Sequence, residues 1–540
     1  MKFTDEQLIK RFESIKSSRS TLEGHWMELA KYGLPERLGT LIQSAPGSKY
    51  DPNIYDSTLM HAVQVSSAGF HAYTTNPESR WIALRCKDVE GGDIREWLSE
   101  VEEILFNTFA DSNFYDEIPA DYQDMFAFGT SHLWEDERLG NRSLISFHCR
   151  PVSEIFICLD DDGKIDTAYR YFIMTARQAF QKFGDNAGEN VKRLMDAGDT
   201  EGNVEFLHII MPREEHNVMR IDKLNMPIAS IWFDYKSKKK ISEGGYPEFP
   251  LFTTRFSKTS GQVYGSTPAM IALPEAKMVG QMSKTTIKAA QKLVEGVYVL
   301  PNDGYIMPFK TTPGAVNMKI SGNDEKVEML PIPDKLPISF EMENQRRAAI
   351  NSIMFSDLFL MLAQLRNQQR TATEITERVK EGMFILSSVV SCVNRDKLTP
   401  AVGRTYNILL RNGKLPTPPP EAQGKEIQVE FVTKFALIQK MLRAGQIREA
   451  TGTLLEMANV LPEFADLPNV EKIGREIAKA YNLENLLHNE KELRAIWDAK
   501  AQAAQQASEL AQLEQGSAVV GELAKAGKAG KEAVNVGRAK

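Results

Sequence analysis

FSKTSGQVYGSTPAMIALPEAKMVGQMSKTTIKAAQKL (residues 256–293), PISFEMENQRRAAINSIMF (337–355) and SDLFLMLAQLRNQQRTATEI (356–375) decide the fold of this chain. The first two read as helices with a Pro/Gly-rich insert between them. The third begins apolar (LFLML) and turns polar and basic (QLRNQQR), which reads as a loop; Thr371 and Glu374 then have capping-box spacing for another helix. At 100° per residue, Lys277, Lys284, Lys288 and Lys292 fall within about 80° of one another. Ile271, Met278, Met282, Ala289 and Leu293 take the adjacent face. Arg346 and Arg347 sit near the middle of the returning helix. A lysine stripe on its own is most simply a solvated surface face. The insert carries two β-favouring runs, GVYVL and AVNMKI, with Pro301, Pro308, Pro313, Pro331, Pro333 and Pro337 among them. That composition predicts a small β tip whose edges are blocked against further pairing.

Working outward, residues 4–33 place Leu8, Phe12, Ile15, Leu22, Trp26 and Leu29 at helical steps, predicting one amphipathic helix or a pair. Asp56 or Ser57 caps a second helix that reaches about Tyr73, and SRWIALR (79–85) follows as a strand. Residues 93–109 and 115–128 read as helices. From Gly129 the pattern alternates as strands do, through HLWEDE, LISFHCR, EIFICLDDDGKIDTAYRYFIM, EFLHIIM and ASIWFDYKSKKKISEGGY, with a capped helix TARQAFQKFG between. Asp160–Asp162 before Gly163 is a hairpin turn in this reading rather than a metal site. Lys238–Lys240 are solvated loop charges. A helix runs from Ala372 past Arg404, and Pro400 kinks or breaks it. LPTPPPEAQGK (415–425) is an extended linker; from Val429 to Trp497 the pattern is helical throughout, and the end is a thin helix and tail. The fold class is therefore α+β.

The chain has 540 residues, 42% of them apolar and 25% charged, and a formal net charge of −7. That balance excludes a general nucleic-acid coat. Cys86, Cys149, Cys158 and Cys392 form no CxxC pair, which fits free thiols in a reducing compartment. A zinc site from His148, Cys149 and Cys158 matches no structural spacing. The sequence contains no apolar run long enough for a membrane span, no signal peptide, no phosphate-binding glycine loop and no nucleophile elbow. No enzyme activity, cofactor or metal is expected.

The chain resembles the head-to-tail connector (portal) proteins of short-tailed bacteriophages. Asp56–Ser57 with TNPESRWIALR (75–85), FPLFTTRFSKTSGQVYGSTPAMIALPEAKMVGQM (249–282) and RTATEITER (370–378), with Pro400 and Arg404 downstream, carry the resemblance over roughly residues 5–500. It implies a ring, usually of twelve copies, at one capsid vertex of the virion, assembled in the host cytoplasm. Its implied partners are double-stranded DNA without sequence specificity, the terminase large subunit, tail adaptors, and capsid and scaffolding proteins, with no membrane. It also implies a wing (1–265 and 372–425), stem helices (266–293 and 338–355), a clip (294–337), a channel loop (356–371), a crown (426–500) and a tail (501–540).

In such a ring the lysine stripe becomes candidate channel wall, together with Arg346 and Arg347. Lys277 to Lys292 spans about 22 Å of helix, a length holding roughly 13 phosphates of duplex. Twelve copies of four lysines exceed that count, so some are expected to pair with Glu341 or Glu343 of a neighbour. Direct DNA contact is assigned instead to Arg366, Asn367, Gln368, Gln369 and Arg370. Leu358–Leu362 is expected to pack on the next subunit. The rival readings are a different phage ring protein, such as a tail adaptor, and a hydrolase using dispersed carboxylates such as Asp160–Asp162.

Overall fold

A capping box opens the first helix. In the computed structural model, Thr4 N–H donates to Gln7 Oε1 and Gln7 N–H donates to Thr4 Oγ1, fixing the start of α1 (Asp5–Gly33). The structure describes residues 3–42, 54–87, 92–138, 143–215, 222–294, 336–364 and 386–432, with short pieces between 298 and 329 and between 445 and 502. Residues 4–33 thus make one 29-residue helix rather than a pair. There follow α2 (Leu38–Ile42), α3 (Thr58–Thr74), β1 (Ile82–Cys86), α4 (Gly92–Asp111) and α5 (Phe114–Phe128). Asp56 Oδ1 accepts from Thr58 N–H at 2.9 Å, so Asp56, not Ser57, supplies the side-chain cap of α3.

Strands β2 (Thr130–Glu137), β3 (Ile145–Arg150), β4 (Ile155–Leu159) and β5 (Ile165–Thr175) come next. Helices α6 (Ala176–Phe183) and α7 (Glu189–Asp196) interrupt them before β6 (Asn203–Pro212), β7 (Ile228–Asp234), β8 (Lys239–Tyr246) and β9 (Leu251–Arg255). Five strands form an antiparallel meander in the order β4-β5-β6-β7-β8. The Asp160–Gly163 stretch is its first turn: Gly163 has φ +75°, and Asp160 Oδ1 accepts from Lys164 N–H. Thr175 and Gln178 cap α6 reciprocally, and Gly184 ends it. Against this sheet α1 lays Leu8, Ile9 and Phe12. The Phe12 ring is enclosed by Phe156, Tyr169, Tyr171 and Tyr235, with ring centres 5.1–5.8 Å away.

A second sheet has the order β3-β2-β9, with β2 central and largely buried. Gly129, with φ +78°, turns the end of α5 into β2; a Cβ there would lie 2.6 Å from the Gly265 carbonyl oxygen, so both the backbone angle and the close approach require glycine. Helices α8 (Pro268–Val294) and α9 (Leu336–Ile353) realise the helical reading of the two opening stretches. Between them only β10 (Tyr298–Val299), paired antiparallel with β11 (Glu328–Met329), and a few single residues are described.

Two expectations are corrected in this region. Ser356–Gln364, read as the apolar start of a loop, is helix α10. Its Leu358 and Phe359 are buried in their own chain rather than left for a neighbour, with Phe359 against Gly69 of α3. The run is a helix with Phe359 packed against Gly69 of α3, a contact that no residue near 356–364 announces, while Leu360 stays exposed. The reading of Val429 onward as wholly helical fails as well. β12 (Ile427–Phe431) is a strand, pairing antiparallel with β1 from Ile82↔Phe431 to Cys86↔Ile427. A run of five residues is too short for helical and strand periods to be told apart without the partner.

Residues 386–393 form helix α11, followed by a π-helical turn (Asn394–Leu398) and α12 (Thr399–Arg411). Pro400 falls in the first turn of α12, where its missing N–H costs little, and the wider π turn absorbs the break expected there. The chain divides into two units, 1–435 and 436–540. In the second, the longest described element is the helix Val470–Ala480.

Candidate functional site

The α8/α9 hairpin is zipped by polar side chains. Thr286 Oγ1 meets Ser339 Oγ at 2.7 Å and donates to Glu343 Oε1 at 2.6 Å; Ser283 Oγ donates to Glu343 Oε2 at 3.1 Å. Farther along, Arg346 Nη1 donates to the Glu275 carboxylate at 3.1–3.2 Å. Residue numbers rise on one helix as they fall on the other, so the two run antiparallel. The face of α8 turned inward is made of small residues, Ala269, Ala272, Ala276, Ser283 and Thr286, with Leu273 and Val279. Small residues at helical spacing let the two backbones approach and bring the hydroxyls into reach of Glu343.

Arg347 ties the hairpin to the N-terminal region. Its Nε donates to Asp56 Oδ2 at 2.9 Å, and Nη2 donates to Glu343 Oε2 at 3.0 Å and Ser283 Oγ at 3.2 Å. Burial alone would raise the Asp56 carboxyl, but hydrogen bonds from Thr58 and Arg347 outweigh it and hold it below the usual range. One carboxylate thus caps α3 with one oxygen and anchors α9 with the other.

The predicted basic residues are therefore not equivalent. Lys277 Nζ pairs with Glu28 of α1 at 2.8 Å, and its hydrogen bond holds the Glu28 carboxyl below its usual value. Lys284 Nζ lies 5.4 Å from the Tyr55 ring centre. Lys288 and Lys292 are exposed and form no ion pair among the described residues. Arg346 and Arg347 serve contacts inside the chain. Glu343, expected to meet a neighbour's lysine, is buried and held by Ser283, Thr286 and Arg347 of its own chain. Glu341 is exposed and accepts from Gln345 at 3.2 Å. Arg366, Asn367, Gln368, Gln369 and Arg370 lie outside the described residues, as do Thr371 and Glu374.

Of the apolar residues placed on the face adjacent to the lysines, Ile271 is 68% exposed and Met278 is exposed, while Met282 and Ala289 are half-buried; elsewhere on the hairpin Ile287, Phe340 and Met342 are exposed. Lys238, Lys239 and Lys240 pair with Glu13, Glu189 and Glu243. His148 and Cys149 lie on β3 and Cys158 on β4; among the described residues no three His, Cys, Asp or Glu gather to hold a metal. No described helix is long and apolar enough to cross a membrane.

The sequence reading missed the Ser283–Thr286–Glu343 seam and the Asp56–Arg347 tie. The signal available was the i,i+4 spacing of Glu343 and Arg347; nothing local pointed to Asp56, 291 residues away.

Residues 5–487 match the family model for the bacteriophage head to tail connecting protein. The chain belongs to that family. Its relatives include the portal protein of Salmonella phage epsilon15, 28% identical over 480 residues, covering 86% of this chain and 85% of that protein. The probable portal protein of Bordetella phage BPP-1 is 27% identical over 526 residues, covering 96% and 94%. Membership in a family of structural connectors makes this chain a structural component of the phage particle rather than an enzyme, and its α+β fold agrees.

Proposed function

We propose that the chain is a portal subunit: copies assemble as a ring at one capsid vertex, the genome passes through the ring during packaging and ejection, and the tail is built on it. The observation that carries this reading is the hairpin. Ser283, Thr286 and Glu343 are spent holding α8 to α9, while Ile271, Met278, Ile287, Phe340 and Met342 stay exposed. Large apolar side chains left outward on an internally satisfied hairpin are what a subunit needs to bury against the next copy. The two relatives are described as a portal protein and a probable portal protein, and the match covers 85% and 94% of their lengths.

In this reading the far end of the lysine stripe faces the bore. Lys288 to Lys292 covers about 6 Å of helix, equivalent to roughly four phosphates of duplex. Two ammonium groups per chain, repeated in a ring of twelve, still outnumber them. A wall that gripped the duplex this tightly would stall it, so the lysines act at a distance, lowering the cost of passing a polyanion through a narrow hole. Close contact falls to Arg366–Arg370. The terminase large subunit, tail adaptors, capsid and scaffolding proteins are the partners this role requires.

End-on electron-microscope averages of the purified full-length protein test the reading. A ring with a central hole is expected; a homogeneous population of single chains at high concentration sinks it.

A further inference from the structure

Arg255, the last residue of β9, is 5% exposed, yet no carboxylate pairs with it among the described residues. Its Nη1 and Nη2 reach only the backbone carbonyls of Val263 and Gly163, each at 3.4 Å, and Nε has no partner among the described residues. Lys258 Nζ donates to the same Gly163 carbonyl at 3.2 Å. Two cations thus converge on one neutral oxygen, which can orient them but neutralises neither. Other buried cations of this chain are treated differently. Lys397 meets Asp121, Arg404 meets Glu248, and Arg19 meets Glu23. A buried guanidinium without a counter-charge is strongly unfavourable.

Arg255 lines a cavity of about 610 Å³. Its wall also carries Lys164, Lys258 and Arg395 against two carboxylates, Asp162 and Asp396. Those carboxylates are already engaged: Lys164 holds Asp162 at 3.3 Å, and Arg395 holds both oxygens of Asp396, at 2.7 and 3.2 Å. The uncompensated charge that remains is Arg255 and Lys258. Gly163 keeps the place open, since a Cβ there would lie 3.1 Å from Lys258 Nζ.

We propose that this cavity is an oxyanion site, seating one phosphate or carboxylate group between the Arg255 guanidinium and the Lys258 ammonium. Charge-assisted hydrogen bonds from both would satisfy the donors that the backbone carbonyls leave under-used. A duplex carries its phosphates on a broad convex surface and cannot bring one to a guanidinium this deeply buried. The group is therefore small or projecting. Its source is either free phosphate or an acidic side chain of a second copy, and the chain, with 72 acidic against 65 basic residues, has carboxylates to offer.

The test titrates inorganic phosphate into full-length protein by calorimetry in low-chloride buffer, with single chains and assemblies separated by size. One phosphate per chain is expected, roughly tenfold weaker in Lys258→Gln and undetectable in Arg255→Gln. Binding at every size identifies a free oxyanion. Binding to single chains alone, with phosphate opposing assembly, identifies a carboxylate of a second copy. No binding at any size, or binding unchanged in Lys258→Gln, overturns the site. Lys258 is exposed, so that variant keeps the test decisive even where Arg255→Gln fails to fold.

Discussion

Helices α1 and α12 are both laid across sheets, but with opposite chemistry. α1 meets the five-stranded meander through Leu8, Ile9 and Phe12, among aromatic rings. The stretch from the π turn through α12 meets β2 and α5 through buried charge; Ala401, Val402 and Ile408 are buried as well. Lys397, fully buried, contacts Asp121 and donates to Ser131 Oγ at 2.7 Å. Arg404 donates to the Glu248 carbonyl at 2.9 Å and lies 3.7 Å from Glu135, which accepts from Thr405 Oγ1 at 2.8 Å. Arg411 reaches Glu248 and Glu137 at 2.6 and 3.5 Å. Apolar burial is non-directional and tolerates repacking, whereas a buried ion pair needs its partner in place and responds to pH. One interface is forgiving and the other is conditional.

Lys397→Ala has the largest expected effect. It leaves Asp121 buried and unpaired, and a loss of about 3–5 kcal/mol in chemical denaturation is expected; a loss below 1 kcal/mol would mean the pair does not hold α12 down. Phe12→Leu probes the forgiving side: the neighbouring rings close in, and the same measurement should show at most about 1.5 kcal/mol.

A smaller effect reads the charge directly. Burial pushes the Glu135 carboxyl from its ordinary 4.5 up to about 8, against the opposing pull of Arg404 and Thr405 and with help from Glu248 and Glu137. Burial likewise raises Asp124 to about 6, despite Arg37. Between pH 4.5 and 8 the folded chain keeps a proton on Glu135 that the unfolded chain has released. Stability from this site therefore falls as pH rises through that window and levels off above it. Thermal melts should show wild type losing on the order of 1 kcal/mol from pH 6 to 8.5, with a shallower slope in Glu135→Gln; an identical slope removes Glu135 from the account. Smallest is the double change Lys288→Ala and Lys292→Ala. Both side chains are exposed, so stability should stay within about 0.5 kcal/mol, while packaging or genome retention in a phage complementation assay declines. Unchanged particles on both counts would take these lysines out of the channel wall.

How much was legible in the sequence follows from the reach of each signal. The cap at Thr175, the Asp160–Gly163 turn, the disturbance at Pro400 and the long helices of the hairpin all depend on residues within four positions of one another. That α8 carries an apolar stripe beside its lysines was legible from periodicity; which of those residues stay exposed was not. Less readable was which lysines are free, since Lys277 and Lys288 look alike until α1 brings Glu28 to one of them.

The α+β class, most of the elements and the family follow from the amino-acid order alone, because local propensity and a collinear set of motifs suffice for these. It took long-range packing to make 356–364 a helix under α3 and 427–431 a strand on β1, to anchor Arg347 on Asp56, and to bury Arg255 with no carboxylate pairing with it among the described residues. Each of these is set by a partner from 92 to 349 residues distant, and no window along the chain contains it.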